Sequence, residues 1–202
     1  MVANARRTGL AGNVVAAVVA MIPSARFVGG PAGVDGWVAS FGALGGHVHQ
    51  VDAIGEVAAA VDAAVAGRAP VLVGADPLVR SAGVRGDMQW PDCGIDGAAT
   101  AAVGVVGVIA GIAATGSLVV DAAVARGRAV SLLPPVCVFV LDATTIVDTP
   151  SAFFRGHHER WPDRPPSQVV VITGPSRSAD IEMTLTVGVH GPGEVHCVIV
   201  GG

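Results

Sequence analysis

Residues 47–74 read HVHQVDAIGEVAAAVDAAVAGRAPVLVG, and the order of elements in that run decides the fold class. His47 to Val51 is a short extended segment, and Ile54 to Ala66 is an alanine-rich helix with Gly67 as its C-cap. Pro70-Val71-Leu72-Val73-Gly74 follows as a buried strand. Strand, helix and strand at this spacing make a βαβ-like rhythm. The expected architecture is therefore α/β, an open mixed sheet with helices on both faces.

Toward the N-terminus, an apolar helix-like piece runs from Val38 to Leu44 and is broken by Gly45-Gly46. Glycine and proline cluster from Gly29 to Gly36, which reads as a linker. Residues 1–36 are accordingly assigned to an N-terminal helix and Gly/Pro-rich linker, and residues 37–202 to one compact domain. The run from Leu10 to Ile22 behind Arg6-Arg7 superficially resembles a signal peptide. It holds Gly12 and Asn13, lacks a clean small-x-small cleavage site, and is shorter than the about 20 residues that a bilayer span needs. A cytoplasmic chain with no membrane span is expected.

Toward the C-terminus, Gly94 to Val120 is almost free of charge, so it must be buried. Extended runs are expected around Ser117–Val120, Ala129–Leu133 and Val136–Leu141, with Pro134-Pro135 parting the last two. Thr149 to Ser167 reads as a long surface loop. A strand over Gln168–Thr173, a turn over Gly174–Ser178, a helix over Ala179–Val187 and a closing strand over Glu194–Val200 complete the reading.

Composition narrows the chemistry. Of 202 residues, 51% are hydrophobic and 14% charged, so burial can offset the entropy of ordering and a globular chain is expected. A net charge of -4, with the basic residues scattered, argues against nucleic acid as a partner. All 12 basic residues are arginine, so no lysine is present to cradle phosphate in a P-loop or to form a Schiff base. Tyrosine is absent as well. Cys93, Cys137 and Cys197 stand far apart, which leaves this chain alone without an iron–sulfur or cysteine-zinc motif. No cofactor is assigned.

The sharpest local signal is the run VVVITGPSRSADIE at 169–182. It reads as a strand, a turn and a helix start, a place where free amides favour anions. Gly174, Ser176, Arg177 and Ser178 are the candidate binders of a small anionic ligand, with Thr115 and Gly116 nearby. Asp180, Glu182 and His190 form a candidate polar site beside them. The competing reading makes Ser178 an N-cap and Asp180 a first-turn partner of the helix dipole. His47-x-His49, with Asp52 near, puts two imidazoles on one strand face but lacks a clear third ligand, so no metal is assigned. His157-His158-Glu159 reads as a solvated cluster.

Four runs together, AATGSLV at 113–119, SLLPP at 131–135, TGPSRSADIE at 173–182 and GVHGP at 188–192, resemble the LUD-domain family of lactate utilisation protein C (LutC/YkgG type). The resemblance implies a fold similar to the NagB/RpiA/CoA-transferase group. It also implies association with a bacterial system that oxidises L-lactate, whose iron–sulfur centres belong to partner subunits. Where the family pattern reads close to GVTGADxAIAETG, this chain has VVGVIAGIAATG at 105–116. Val106, Ile109 and Ala114 thus replace a threonine, an aspartate and a glutamate, and Cys137 replaces the histidine after the double proline. Apolar side chains cannot transfer protons or attack a carbonyl, so chemistry that used those groups should be weakened or lost.

Three expectations follow. The first is an accessory component of an iron–sulfur lactate-oxidising system. The second is an enzyme, or a degenerate one, of the CoA-transferase-like group acting on a phosphorylated or CoA-like ligand. The third is a structural protein that self-associates as a homo-oligomer.

Overall fold

The computed structural model describes residues 32–160, 168–179, 185–188 and 190–201. The expected N-terminal helix therefore lies outside the described residues, and so do Asp180 and Glu182. Helix α1 spans Gly33–Ala43, strand β1 His47–Val51, helix α2 Val57–Val65 and strand β2 Val71–Val73. Next come α3 (Pro77–Ser81), β3 (Met88–Gln89), α4 (Gly94–Ala99), β4 (Val103–Gly107), β5 (Ala110–Ile112) and β6 (Ser117–Asp121). The C-terminal half adds α5 (Ala129–Leu132), β7 (Val136–Asp142), β8 (Ile146–Val147), α6 (Pro150–Arg160), β9 (Val169–Ile172), β10 (Arg177–Ala179), β11 (Leu185–Val187) and β12 (Glu194–Val200).

The βαβ reading of residues 47–74 holds. A six-stranded sheet in the order β1-β12-β7-β4-β2-β3 is parallel throughout. Among the described residues, antiparallel pairing is confined to a second sheet, ordered β8-β5-β6-β9, and to the β10–β11 hairpin. Alternation along β7 shows why its sequence is uniformly apolar. Val136, Val138 and Val140 face the core under α2, whereas Cys137, Phe139 and Leu141 face the core that holds Trp37 and Phe41. A parallel strand buried on both faces needs hydrophobic residues at every position.

On the first face α2 buries Val57, Val61, Ala64 and Val65. On the other, Trp37 stacks on Phe41 and donates from its indole nitrogen to the Ser117 carbonyl at 2.9 Å. That bond pins α1 to the second sheet. Burying Phe41, Phe139 and Leu141 contributes about 1.5–3 kcal/mol each.

Four sequence expectations need correction. Helix α1 begins at Gly33, inside the run read as linker. Residues 129–132 form a short helix rather than an extended run, because a brief apolar stretch has no periodicity to tell the two apart. The stretch read as a long loop contains α6, whose start carries a cap: the Ala152 amide donates to the Thr149 hydroxyl, and Pro150 occupies the first helical turn. Finally, the described ends of the helix expected over residues 179–187 are strand instead, residues 180–184 lying outside the described residues. Arg177 to Ala179 pairs antiparallel with Leu185 to Val187, as the β-branched Thr186 and Val187 favour.

Candidate functional site

The turn at Gly174 does not lie at the carboxyl edge of the large sheet. Its strand, β9, pairs antiparallel with β6 in the second sheet. The turn rests on Leu44, just before β1, and so sits at the amino-terminal end of the parallel strands. Gly174 has a φ of +76°, and a Cβ there would lie 2.9 Å from the Leu44 Cβ, so only glycine fits without strain. The Ser176 amide already donates to the Pro192 carbonyl at 2.8 Å, and its carbonyl accepts from Gly188 at 2.9 Å. A hairpin has therefore replaced the expected helix N-terminus. The dipole and bare amides invoked for an anion are not what this turn offers.

Side chains offer polar groups instead. A cavity of about 430 Å³ opens beside the turn, walled by apolar residues such as Leu132, Ile172 and Pro192, with Thr173, Ser176, Arg177 and His190 as polar groups. Arg177 donates from Nη2 to the Leu44 carbonyl, which leaves its remaining N–H groups uncommitted to that bond. Ser178 lies on β10 opposite Thr186.

Thr115 is tied to this place by a row of hydroxyls that sequence spacing did not reveal. Thr115 Oγ1 lies 2.7 Å from Ser117 Oγ, which lies 2.8 Å from Thr173 Oγ1. Gly116 has another duty: its φ is +59°, and a Cβ would meet the Phe41 amide nitrogen at 2.5 Å. It lets the second sheet close onto α1.

A second polar cluster gathers residues that look unrelated in sequence. His47 and His49 on β1 flank His196 on β12, and the His47 and His196 rings stack with centroids 4.7 Å apart. His49 Nε2 lies 3.1 Å from His196 Nδ1, and His196 Nε2 lies 2.7 Å from Glu194 Oε1. Arg68 donates to both Glu194 oxygens, at 3.0 and 3.1 Å. Burial, then the neighbouring His196 and His47, lower the His49 pKa below its ordinary 6.5. The hydrogen bond from His196, opposed by partial burial and aided by Arg68, holds Glu194 below the usual glutamate value. Among the described residues, no group of three or more His, Cys, Asp or Glu side chains is arranged to hold a metal ion.

Of the positions where the chain departs from the pattern it resembles, Val106 and Ile109 do not line the cavity beside the turn, Ala114 adjoins Thr115, and Cys137 is the register partner of Val195 in the cavity wall. Val106 is buried in β4 and Cys137 in β7. Ile109 lines a separate cavity of about 260 Å³ with Val147 and Phe153, and the Ala114 amide donates to the Asp148 carbonyl. Burial pushes the Cys137 thiol far up, so it is no thiolate at neutral pH.

Nearly every residue lining the cavity falls within one matched region: a family model described as the LUD domain matches residues 95–200, more than half the chain. The chain belongs to the LUD-domain family. Within it, this LUD protein is similar to proteins of the LutC/YkgG type. It is 40% identical to YkgG of Escherichia coli K12 over 100 residues, which cover 48% of this chain and 43% of that protein. It is 32% identical to lactate utilization protein C of Bacillus licheniformis over 152 residues, 66% of this chain and 63% of the relative. The match to lactate utilization protein C of Halalkalibacterium halodurans is 42% over 83 residues, 40% of this chain and 36% of the relative. These matches span between about one third and under two thirds of the relatives' length. The crystal structure of a DUF162 family protein from Deinococcus radiodurans superposes with a TM-score of 0.60 at 20% identity, covering 83% of this chain and 95% of the other, a likeness of fold. Among the described residues of this LUD protein, no helix is long and apolar enough to cross a membrane.

Proposed function

We propose that this LUD protein is an accessory component of a bacterial lactate-utilisation system, acting in the cytoplasm beside separate iron–sulfur subunits and binding a small anion at the Gly174 turn. The similarity to lactate utilization protein C over 66% of the chain carries this reading. Its own cysteines support a role without a cluster. The chain holds three cysteines, with Cys137 and Cys197 buried, fewer than the four thiolates that an iron–sulfur cluster commonly takes. The anion would meet Arg177, Ser176 and Thr173 in the cavity beside Gly174, with Ser178, Thr115 and Gly116 shaping its surroundings.

The CoA-transferase-like alternative has less behind it. A nucleophilic carboxylate would be needed, and Val106, Ile109 and Ala114 stand where the family pattern carries polar groups. Affinity purification from lactate-grown cells of the native host tests the accessory role. Cysteine-rich iron–sulfur proteins should co-purify, and a deletion strain should grow poorly on L-lactate. A pull-down free of such partners, with normal growth of the deletion strain, would sink the proposal.

A further inference from the structure

We infer that the cavity beside Gly174 takes a short-chain monocarboxylate, and that the Thr173 hydroxyl reads its carboxylate with Ser117 and Thr115 as positioning residues behind it. This rests on the reading of the cavity as an anion site and adds to it a ligand class and a recognition residue.

The hydroxyl row carries the argument. Three hydroxyls share two hydrogen bonds, Thr115 to Ser117 and Ser117 to Thr173, and Ser117 in the middle is 1% exposed. If both threonines donated to Ser117, its own proton would be buried without an acceptor, which is costly. The row therefore runs one way or the other. In one direction Thr115 donates to Ser117 and Ser117 to Thr173, so the Thr173 proton is free to point into the cavity that this residue lines. In the other, Thr173 presents only lone pairs. An anion selects the first direction, and donors aligned in a chain polarise one another, which strengthens the terminal bond. The row can thus present a donor to an oxyanion.

Charge and shape narrow the class further. Among the described residues lining the cavity, Arg177 is the sole arginine and no carboxylate is present. One of its amino groups is already committed to the Leu44 carbonyl. A single guanidinium matches a monoanion, whereas a phosphate dianion would bring a second charge with only the His190 imidazole left to meet it. Leu132, Ile172 and Pro192 offer apolar surface to a short aliphatic tail. A carboxylate of a few carbons satisfies both ends.

Calorimetric titration of the full chain with propionate, acetate, inorganic phosphate and methyl propionate tests this. Propionate should bind more tightly than phosphate, and the neutral ester should not bind. Thr173→Val keeps the branched shape without the hydroxyl and should weaken propionate at least about tenfold. Thr173→Ser restores the hydroxyl and should stay within about threefold of the parent. Circular dichroism and thermal melting of both variants establish that each is folded. Phosphate binding more tightly than propionate would overturn the ligand class. Propionate affinity unchanged in Thr173→Val but lost in Arg177→Ala would overturn the role of Thr173 while leaving the anion cavity standing. No binding of any anion by the parent would overturn both.

Discussion

Arg177 Nη2 donates to the Leu44 carbonyl oxygen at 2.7 Å, across 133 positions of sequence. Leu44 closes the C-terminus of α1, where carbonyls lack helical partners and a cation is favoured. The guanidinium therefore fastens the β10–β11 hairpin to the first helix and stands at the cavity mouth at the same time. Arg177→Ala should lower stability by about 1 kcal/mol in urea unfolding, and Arg177→Lys should recover part of it. An alanine variant as stable as the parent would mean that the bond contributes nothing in solution.

Gly116 presses its backbone against Phe41 at a φ of +59°. Gly116→Ala should cost at least about 2 kcal/mol, since the added carbon meets backbone atoms that cannot rotate away. A melting temperature equal to that of the parent would show that α1 can withdraw from the second sheet freely.

Acid should weaken the fold in two stages. His49 binds its proton less readily folded than unfolded, so unfolding gains protons and stability falls as pH drops below about 6.5. Glu194 is also depressed, so its contribution is present above 4.5 and disappears as pH falls through the lower folded value. Urea titrations from pH 8 to 3 should show both declines. His49→Gln should flatten the upper one and Glu194→Gln the lower. Curves in the variants that run parallel to the parent would remove the His49–His196–Glu194 row from the account of acid stability.

The thiols should separate by burial. Cys137 and Cys197 are buried and their thiol pKa values are raised by burial, whereas Cys93 is only partly covered. A disulfide reagent should label Cys93 in the folded protein and all three thiols after unfolding. Rapid labelling of Cys137 in native buffer would show that β7 opens readily.

Much of the fold was legible because it is written in short-range patterns. The helix and strand of residues 54–74 carry their own periodicity, although the left-handed C-cap is Ala66 rather than Gly67, and the apolar run of β7 reports burial on both faces. Where the text was ambiguous, the reading went astray. Residues 129–132 are too few to show a period, and Thr149-Pro150, a helix start, looks in sequence like the punctuation of a loop.

Family membership and the α/β class needed only the order of residues along the chain, since local motifs and hydrophobic pattern survive without any knowledge of contacts. The site needed more. Whether the residues after Gly174 would form a helix or a hairpin depended on the pairing of Arg177 with Val187, and the Ser176 amide was lost to an anion through Pro192. The meeting of Ser117 with Thr173, and of His49 with His196, follows from the registers of β6 with β9 and of β1 with β12. Those registers bring together residues as distant in sequence as His49 and His196, 147 positions apart, and pairing at that range is chosen by the packing of the whole core rather than by any stretch of sequence read alone.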